Sequence, residues 1–235
     1  MCGRYNVIPD AEAWVTAFDI LREEFDSLDL QASYNTSPAD KRKTQPDVLR
    51  WVPIIRQIED QRHLDLAVWS LIPKWTKGQL PDWSTANAKS ETAYKLATFR
   101  GPWKHNQRCL IPANGFYEWQ KQTTGPKQPW HIGMRDQKVF AFGGLWEVSV
   151  TEEGEAVESC TILTTQPNEL MKPIHNRMPV IIAQASYQQW LAGDPDQAQE
   201  LCQPFKAEQM AAYPISRRVN NPGFNDPVVL ERAGD

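Results

Sequence analysis

Apolar residues near the N-terminus recur at the spacing of an α-helix. Four of them share one helical face at separations of four, three and four positions: Trp14, Phe18, Leu21 and Phe25. Asp10 precedes this run and is of the type that caps a helix N-terminus. The pattern predicts an amphipathic helix over residues 10–25 whose apolar face packs into the core.

Most of the remaining chain has the short apolar or alternating runs, bounded by turn residues, that are typical of strands. Strands are predicted over 64–72, 108–119 (with a kink), 129–134, 138–149, 159–165, 178–183 and 213–219. Shorter helices are predicted over 167–173, 185–192 and 195–202. Because strands outnumber helices and do not alternate with them, we expect an α+β fold with a mainly antiparallel, barrel-like sheet core flanked by helices.

The chain shows no internal repeat and no long linker, and its 235 residues suffice for one domain with a sizeable core. We therefore predict a single domain over residues 1–220. Residues 221–235 contain Pro, Gly and Asp and are predicted to form a loosely ordered C-terminal tail. Nothing in the sequence indicates an obligate oligomer, so we expect a monomer.

Composition narrows the classes of partner and compartment. The net charge of −4 argues against a generally basic protein that coats DNA, although a local basic groove remains compatible with it. There is no apolar run of membrane-spanning length and no secretion signal, so we expect a cytoplasmic protein. We predict no cofactor.

The four cysteines are scattered and none forms a CxxC pair, so they are expected to be free thiols. His105 and Cys109 are four positions apart, but no second ligand pair follows them. We therefore predict no metal site.

The chain begins Met1-Cys2-Gly3-Arg4. Removal of Met1 would expose a cysteine that carries an α-amine and a thiol on adjacent carbons. An α-amine has a pKa of about 7.7–8.0, so roughly a tenth of it is neutral at pH 7, far more than of a lysine. Such a terminus can condense with an aldehyde and close to a thiazolidine ring. By position alone, an incidental Cys2 is favoured, and the nucleophile of an amidotransferase is a competing interpretation.

Five further motifs decide between these possibilities: YNTSP (34–38), WSLIPKW (69–75), NAKSET (87–92), FYEW (116–119) and IHNRMPVI (174–181). With MCGRY at the start and PISRRV (214–219) near the end, they resemble the SRAP family, the SOS response-associated peptidases. No comparable resemblance to an amidotransferase extends beyond the first three residues.

The resemblance implies a β-rich α+β domain that senses abasic sites in single-stranded DNA, also near junctions with duplex. A protein of this kind is expected to be associated with the nucleoid when it is bound to DNA. The implied activity is a lyase-like DNA–protein crosslink through Cys2, with self-removal of Met1 as the peptidase or hydrolase reaction. Glu118 is expected to act as general acid or base, because its aromatic neighbours can raise its pKa. His175 is expected to relay a proton to the sugar, and Asn87 to orient it through its amide.

Contacts with DNA are expected from cations and flat side chains. Arg4, Lys89 and Arg177 are candidate phosphate ligands, and Thr164 is expected to reach a phosphate. By resemblance, Trp75 and Pro38 form a wedge against the bases that flank the lesion. Asn35 and Trp69 are expected to line the pocket.

Two positions depart from the family pattern. Lys89 stands where the family often has Arg, which keeps the charge but loses the bidentate fork. Asn176 stands where an Asp often precedes Arg177, which removes a local acidic partner. Two alternatives to the crosslinking hypothesis stay open: a cysteine peptidase or amidotransferase that uses Cys2 with His175, and a noncatalytic nucleic-acid-binding module.

Overall fold

Two β-sheets form the framework of the protein. The structure is a computed structural model, and it describes residues 3–39 and 50–234. Within those ranges the strands are β1 (Tyr5–Val7), β2 (Ser33–Thr36), β3 (Trp51–Ile58), β4 (Gln61–Trp69), β5 (Asn87–Lys89), β6 (Arg108–Ala113), β7 (Gly115–Gln120), β8 (Gln128–Met134), β9 (Phe140–Val150), β10 (Ala156–Thr165), β11 (Met178–Pro179), β12 (Ile181–Ile182) and β13 (Met210–Pro214). The helices are α1 (Ala11–Phe18), α2 (Arg22–Ser27), α3 (Ser90–Ala93), α4 (Ala97–Lys104), α5 (Tyr187–Ala192) and α6 (Pro195–Glu200).

The larger sheet closes on itself. Its strands pair in the order β4–β3–β6–β9–β10, and β10 pairs back onto β4. The β4–β10 contact is parallel and the other four contacts are antiparallel. Closure removes the sheet edges, and a small ring of this kind is filled by side chains. The predicted fold class, a β-rich α+β domain with a mainly antiparallel, barrel-like core, is confirmed.

The second sheet contains the N-terminal strand. Its order is β13–β8–β7–β1–β2, so β1 lies between two partners and not at an edge. Tyr5 of β1 is fully buried in the main core, where its ring contacts the edges of Trp69 and Phe142 at centroid distances of 5.2 and 5.7 Å. The second sheet therefore holds residues close to the chain start in a defined place.

The helix predicted over residues 10–25 is divided into two. Asp10 is the N-cap, as expected, and its carboxylate accepts a hydrogen bond from the amide of Ala13 at 2.8 Å. The helix ends because Asp19 has a left-handed backbone conformation with φ of 55°. Leu21 consequently leaves the buried face and is 52% exposed. Among the described residues, no helix is long and apolar enough to cross a membrane.

Four further predicted elements can be compared with the structure, and one of them is confirmed. The strand–kink–strand at 108–119 is confirmed as β6 and β7. The segment 167–173 forms turns and not a helix, because Pro173 has no amide hydrogen with which to extend the turn that begins at Asn168. The side-chain oxygen of Asn168 accepts a hydrogen bond from the amide of Met171 at 3.0 Å. The strand expected at 178–183 is split into β11 and β12, and the last strand lies earlier than expected.

The segment that was expected to be a loosely ordered tail has a packed interior. Val229 is fully buried in a small cluster with Tyr117, Ile215 and Val219. The amide of Ala233 also donates to the carbonyl of Pro214 at 2.9 Å. Apolar residues spaced among polar ones give this segment a face that covers the outer side of β7.

We predict that Val229→Ala lowers the free energy of unfolding by about 1–3 kcal/mol, because it leaves a cavity against Tyr117 and Ile215. Urea denaturation measures this change. The matched control is Val150→Ala, since Val150 is 52% exposed and should cost little. Equal stability of the two variants would show that residues near Val229 do not pack as described.

Candidate active site

The start of the chain is aligned with β7 by backbone hydrogen bonds. Tyr5 pairs with Phe116, and the amide of Tyr117 donates to the carbonyl of Arg4 at 3.0 Å. Side chains alternate along a strand, so Phe116 and Glu118 point to the core side of β7 while Tyr117 points to the opposite side. Cys2 itself lies outside the described residues. The described residues that precede β1 thus run beside the carboxylate of Glu118.

Glu118 is a buried carboxyl group with only 2% of its surface exposed. Burial raises its pKa, and the positive character of the nearby His175 opposes that rise. The distance from Glu118 Oε2 to His175 Nε2 is 3.9 Å. A carboxyl group with a raised pKa beside an imidazole can take up and release a proton during a reaction.

His175 lies in the turn that leads to β11. Its Nδ1 is 3.1 Å from the amide nitrogen of Arg177 and 3.2 Å from the carbonyl oxygen of the same residue. A neutral ring can accept from that amide, and a protonated ring can donate to that carbonyl. The backbone at Arg177 therefore accommodates both protonation states, while Nε2 faces Glu118.

Asn87 is brought to the site by the parallel pairing of β5 with β10, in which it lies opposite Ile162. Trp69 anchors the same segment, because its indole nitrogen donates to the carbonyl of Ala86 at 2.9 Å. Trp69 is fully buried and its ring packs on Tyr5. In this arrangement Trp69 joins β1 to the start of β5, while Asn87 and Glu118 belong to strands of different sheets.

Arg177 and Thr164 are engaged within the protein. Arg177 is 8% exposed, and its guanidinium makes a bidentate pair with Glu91 at 2.6 and 2.8 Å. It also donates to the carbonyl of Thr164 at 2.6 Å, and Thr164 is fully buried. Lys89, by contrast, is exposed at the end of β5. Of these three predicted phosphate ligands, Lys89 offers the accessible charge; DNA contacts by all three stay predictions.

Arg4 and Asn35 converge on the C-terminal segment. The Arg4 guanidinium donates to the carbonyls of Val219 and Asn220 and lies over the ring of Trp119 at 5.5 Å. The amide nitrogen of Asn35, a residue only 4% exposed, lies 2.9–3.1 Å from three carbonyl oxygens of residues 219–224. Both residues, predicted to contact DNA, hold this segment against β1 and β2.

Trp75 and Pro38 occupy exposed or half-buried positions, as a wedge would require. Trp75 is 55% exposed on a single 3-10 turn, and the neighbouring Lys74 pairs with the buried carboxylate of Glu147 at 3.2 Å. Pro38 lines a cavity of about 480 Å³. Trp83, 52% exposed, lines the same cavity and was missed by sequence reasoning. Its place just before NAKSET was the available signal.

The three described cysteines are buried free thiols, as predicted: Cys109, Cys160 and Cys202. Burial raises the pKa of each, to about 12 for Cys202. Since the thiolate is the nucleophile, none of the three is suited to catalysis. Within the described ranges no group of three or more His, Cys, Asp and Glu residues is arranged to hold a metal ion.

The fold and the Glu118–His175 pair define a β-barrel protein whose candidate site is built around the start of the chain. The chain belongs to the SRAP family, the SOS response associated peptidases, whose sequence model matches residues 1–222.

Among curated proteins, the chain is 37% identical over 235 residues to "Abasic site processing protein YoqW" of Bacillus subtilis, covering 98% of this chain and 99% of that one. It is 28% identical over 226 residues to "Abasic site processing protein HMCES" of Xenopus tropicalis, covering 86% of this chain and 66% of that one. A crystal structure of a protein from Bacteroides thetaiotaomicron superposes with a TM-score of 0.78 at 26% identity, covering 99% of this chain and 100% of that one.

We predict that iodoacetamide leaves Cys109, Cys160 and Cys202 unmodified in the native protein, because burial keeps each thiol protonated and inaccessible. Peptide mass spectrometry measures the modification. The control is the same treatment in urea, where all three should react. Rapid native labelling of Cys160 would contradict the described core.

We predict that Glu118→Gln becomes progressively more stable than the wild type as pH rises. Burial raises the pKa of Glu118, so the folded state holds its proton more tightly than the unfolded chain does. Wild-type stability is therefore lost as the pH rises from the usual carboxyl value of 4.5 through the raised value, whereas Gln cannot ionise.

Urea denaturation at a series of pH values measures this difference. The control is Glu158→Gln, which removes a carboxylate that pairs with Arg56 at 3.2 Å, away from the site, and should not stabilise the protein. A stability difference between wild type and Glu118→Gln that does not change with pH would refute the raised pKa.

Proposed function

We propose that this protein processes abasic sites in single-stranded DNA and captures them covalently through Cys2 once Met1 has been removed. The observation that carries the proposal is the backbone register of β1 on β7. One further step along that register sets Gly3 opposite Glu118. Cys2 is bonded directly to Gly3, and the proposal is that its amine and thiol react at the Glu118–His175 pair.

The chemistry begins with the open-chain aldehyde of the abasic deoxyribose. The α-amine nitrogen of Cys2 attacks C1′, and the carbonyl oxygen takes up a proton to give a carbinolamine. Loss of that hydroxyl as water leaves an imine. The Cys2 sulfur then adds to the imine carbon and the nitrogen takes up the proton. One aldehyde and one aminothiol become a five-membered thiazolidine and one water, with no oxidant or reductant.

Glu118 and His175 supply the proton transfers in these steps. A carboxyl group whose burial raises its pKa can protonate the departing hydroxyl and later accept the proton of the thiol. His175 presents Nε2 toward Glu118, and its backbone contacts at Arg177 suit both its charged and its neutral form. Asn87, from strand β5 of the larger sheet, orients the sugar through its amide.

Removal of Met1 is the step that activates the protein. Before it, the nitrogen of Cys2 is a peptide amide and cannot form an imine. Hydrolysis of the Met1–Cys2 bond, by the same site or by an aminopeptidase, releases the amine. The names of the relatives, which describe abasic site processing, and the family description, which describes a peptidase, support these two activities together.

DNA binding places the lesion at this site. Lys89 is exposed on the same strand as Asn87 and can contact a phosphate beside the sugar. Trp75 stacks against a flanking base, an interaction of about 1–3 kcal/mol, and Pro38 forms the other part of the wedge. Arg4 and Asn35 act by holding β1 and β2 against the C-terminal segment. The buried side chains of Trp69, Thr164 and Arg177 pack behind the residues that form the pocket.

We predict that untagged wild-type protein forms a crosslink with an abasic single-stranded oligonucleotide that survives a denaturing gel, and that Cys2→Ala does not. Intact mass of the product should equal protein without Met1 plus DNA minus one water. The matched control is Cys202→Ala, which removes a buried thiol that the mechanism does not use.

An N-terminal tag that cannot be removed should abolish the crosslink, because it masks the α-amine. Full crosslinking by Cys2→Ala, or by the permanently tagged protein, would refute the mechanism. Turnover of peptides or glutamine in trans without DNA would favour the peptidase or amidotransferase alternative.

A further inference from the structure

A second cleft opens on the far side of Glu91 from the candidate active site. It has a volume of about 1120 Å³ and lies between α4 and the first turn of α6. Tyr94, Arg100 and Lys104 line one side of it, and Asp196 and Gln199 line the other. Its size exceeds that of a typical small-molecule pocket and suits an extended ligand.

The segment that supplies one wall of this cleft is basic, whereas the whole protein is acidic. Residues 89–105 contain four Lys or Arg residues and one Glu, whereas the chain as a whole has a net charge of −4. Arg100 and Lys104 are both exposed and are four positions apart on α4, so they share one face of the helix. The cleft therefore presents two accessible cations side by side.

The acidic groups at the cleft do not cancel this charge. Glu91 is neutralised by its bidentate pair with Arg177, which also keeps the pKa of Glu91 low. Asp196 remains as one negative charge on the opposite wall, against Arg100 and Lys104. The net positive charge that remains on the cleft favours the binding of a polyanion.

An aromatic surface accompanies the cations. Tyr94 is 42% exposed at the cleft, and the ammonium group of Lys95 lies 4.9 Å from its ring centroid. Trp103 forms part of the floor and packs on Trp190 at a centroid distance of 6.4 Å. Cations combined with an exposed ring are what proteins use to bind single-stranded nucleic acid, through phosphates and base stacking.

Residues of the cleft are joined to those of the candidate active site by the chain and by side-chain contacts. The chain runs directly from Asn87 and Lys89 of β5 through α3 to Tyr94. In addition, Glu91 of the cleft contacts Arg177, whose backbone amide lies 3.1 Å from His175 Nδ1. A strand whose abasic sugar lies at Glu118 and His175 can thus pass Lys89 and enter this cleft.

We propose that the cleft between α4 and α6 binds the phosphate backbone of the single strand on one side of the abasic site, through Arg100 and Lys104 with Tyr94 stacking on a base. This inference rests on the proposed function, since it concerns the same DNA strand. In this arrangement the protein binds several nucleotides beyond the abasic site and the bases that contact Trp75 and Pro38.

The test is equilibrium binding, by fluorescence anisotropy, of oligonucleotides that carry tetrahydrofuran, a stable abasic analogue without an aldehyde. One oligonucleotide is short and covers the lesion and its immediate neighbours; two others are extended by single strand on the 5′ or on the 3′ side. The variant is Arg100→Ala with Lys104→Ala. Because the analogue cannot crosslink, this measurement does not depend on Cys2.

We expect the double variant to bind one of the two extended oligonucleotides about tenfold more weakly at low salt, with the slope of log affinity against log salt reduced by about 1.4 for two lost phosphate contacts. Binding of the short oligonucleotide should not change. The charge-conserving variant Arg100→Lys with Lys104→Arg should restore binding to the extended one.

The matched control is Arg22→Ala with Lys138→Ala, which removes the same charge from exposed residues outside the cleft. If the Arg100 and Lys104 variant binds both extended oligonucleotides like this control, the proposed cleft is wrong. Crosslinking of the short abasic oligonucleotide by the double variant reports separately on Cys2. A normal crosslink with unchanged extended binding would reject the cleft alone, and a missing crosslink in wild type would reject the proposed function.

Discussion

Chain ends are ordinarily the most mobile parts of a domain, yet the strand nearest the start of this chain is held on both sides by backbone pairing with β7 and β2. Tyr5 adds a fully buried ring in the core, and Asn6 adds a contact of 3.0 Å between its Oδ1 and Nε2 of His131. Burial lowers the pKa of His131 to about 4, so this histidine is neutral at neutral pH and its contact with Asn6 does not change there. The position of the first residues relative to Glu118 follows from these contacts.

The same interaction explains why so many polar side chains around the site are internally engaged. The C-terminal segment covers the outer face of β7, the strand that pairs with β1. Arg4 and Asn35 bind the carbonyls of that segment, while Val229 packs beneath it. Arg4 and Asn35, which the sequence predicts to contact DNA, thus hold the C-terminal segment against β1 and β2.

A chain of charged contacts leads away from the site in the other direction. His175 is held at Arg177, Arg177 is held at Glu91, and Glu91 lines the cleft beside α4. Because Arg177 and Glu91 neutralise each other, the cations that remain accessible are Lys89 and, further along, Arg100 and Lys104. The separation of buried, paired charges from exposed ones distinguishes groups that shape the site from groups that can meet a phosphate.

The sequence by itself determined the fold class, the kink between β6 and β7, the N-cap at Asp10 and the family, because these depend on local periodicity, turn chemistry and ordered motifs. Glu118 and His175 could be named from their motifs, but their distance of 3.9 Å could not, since 57 positions separate them in the chain. The break of the first helix at Asp19, the burial of Val229 and the internal engagement of Arg177 were decided by tertiary packing. Periodicity reports which face of an element is apolar. Only the closed barrel and its neighbouring sheet determine which groups that face meets, and therefore which charges stay exposed.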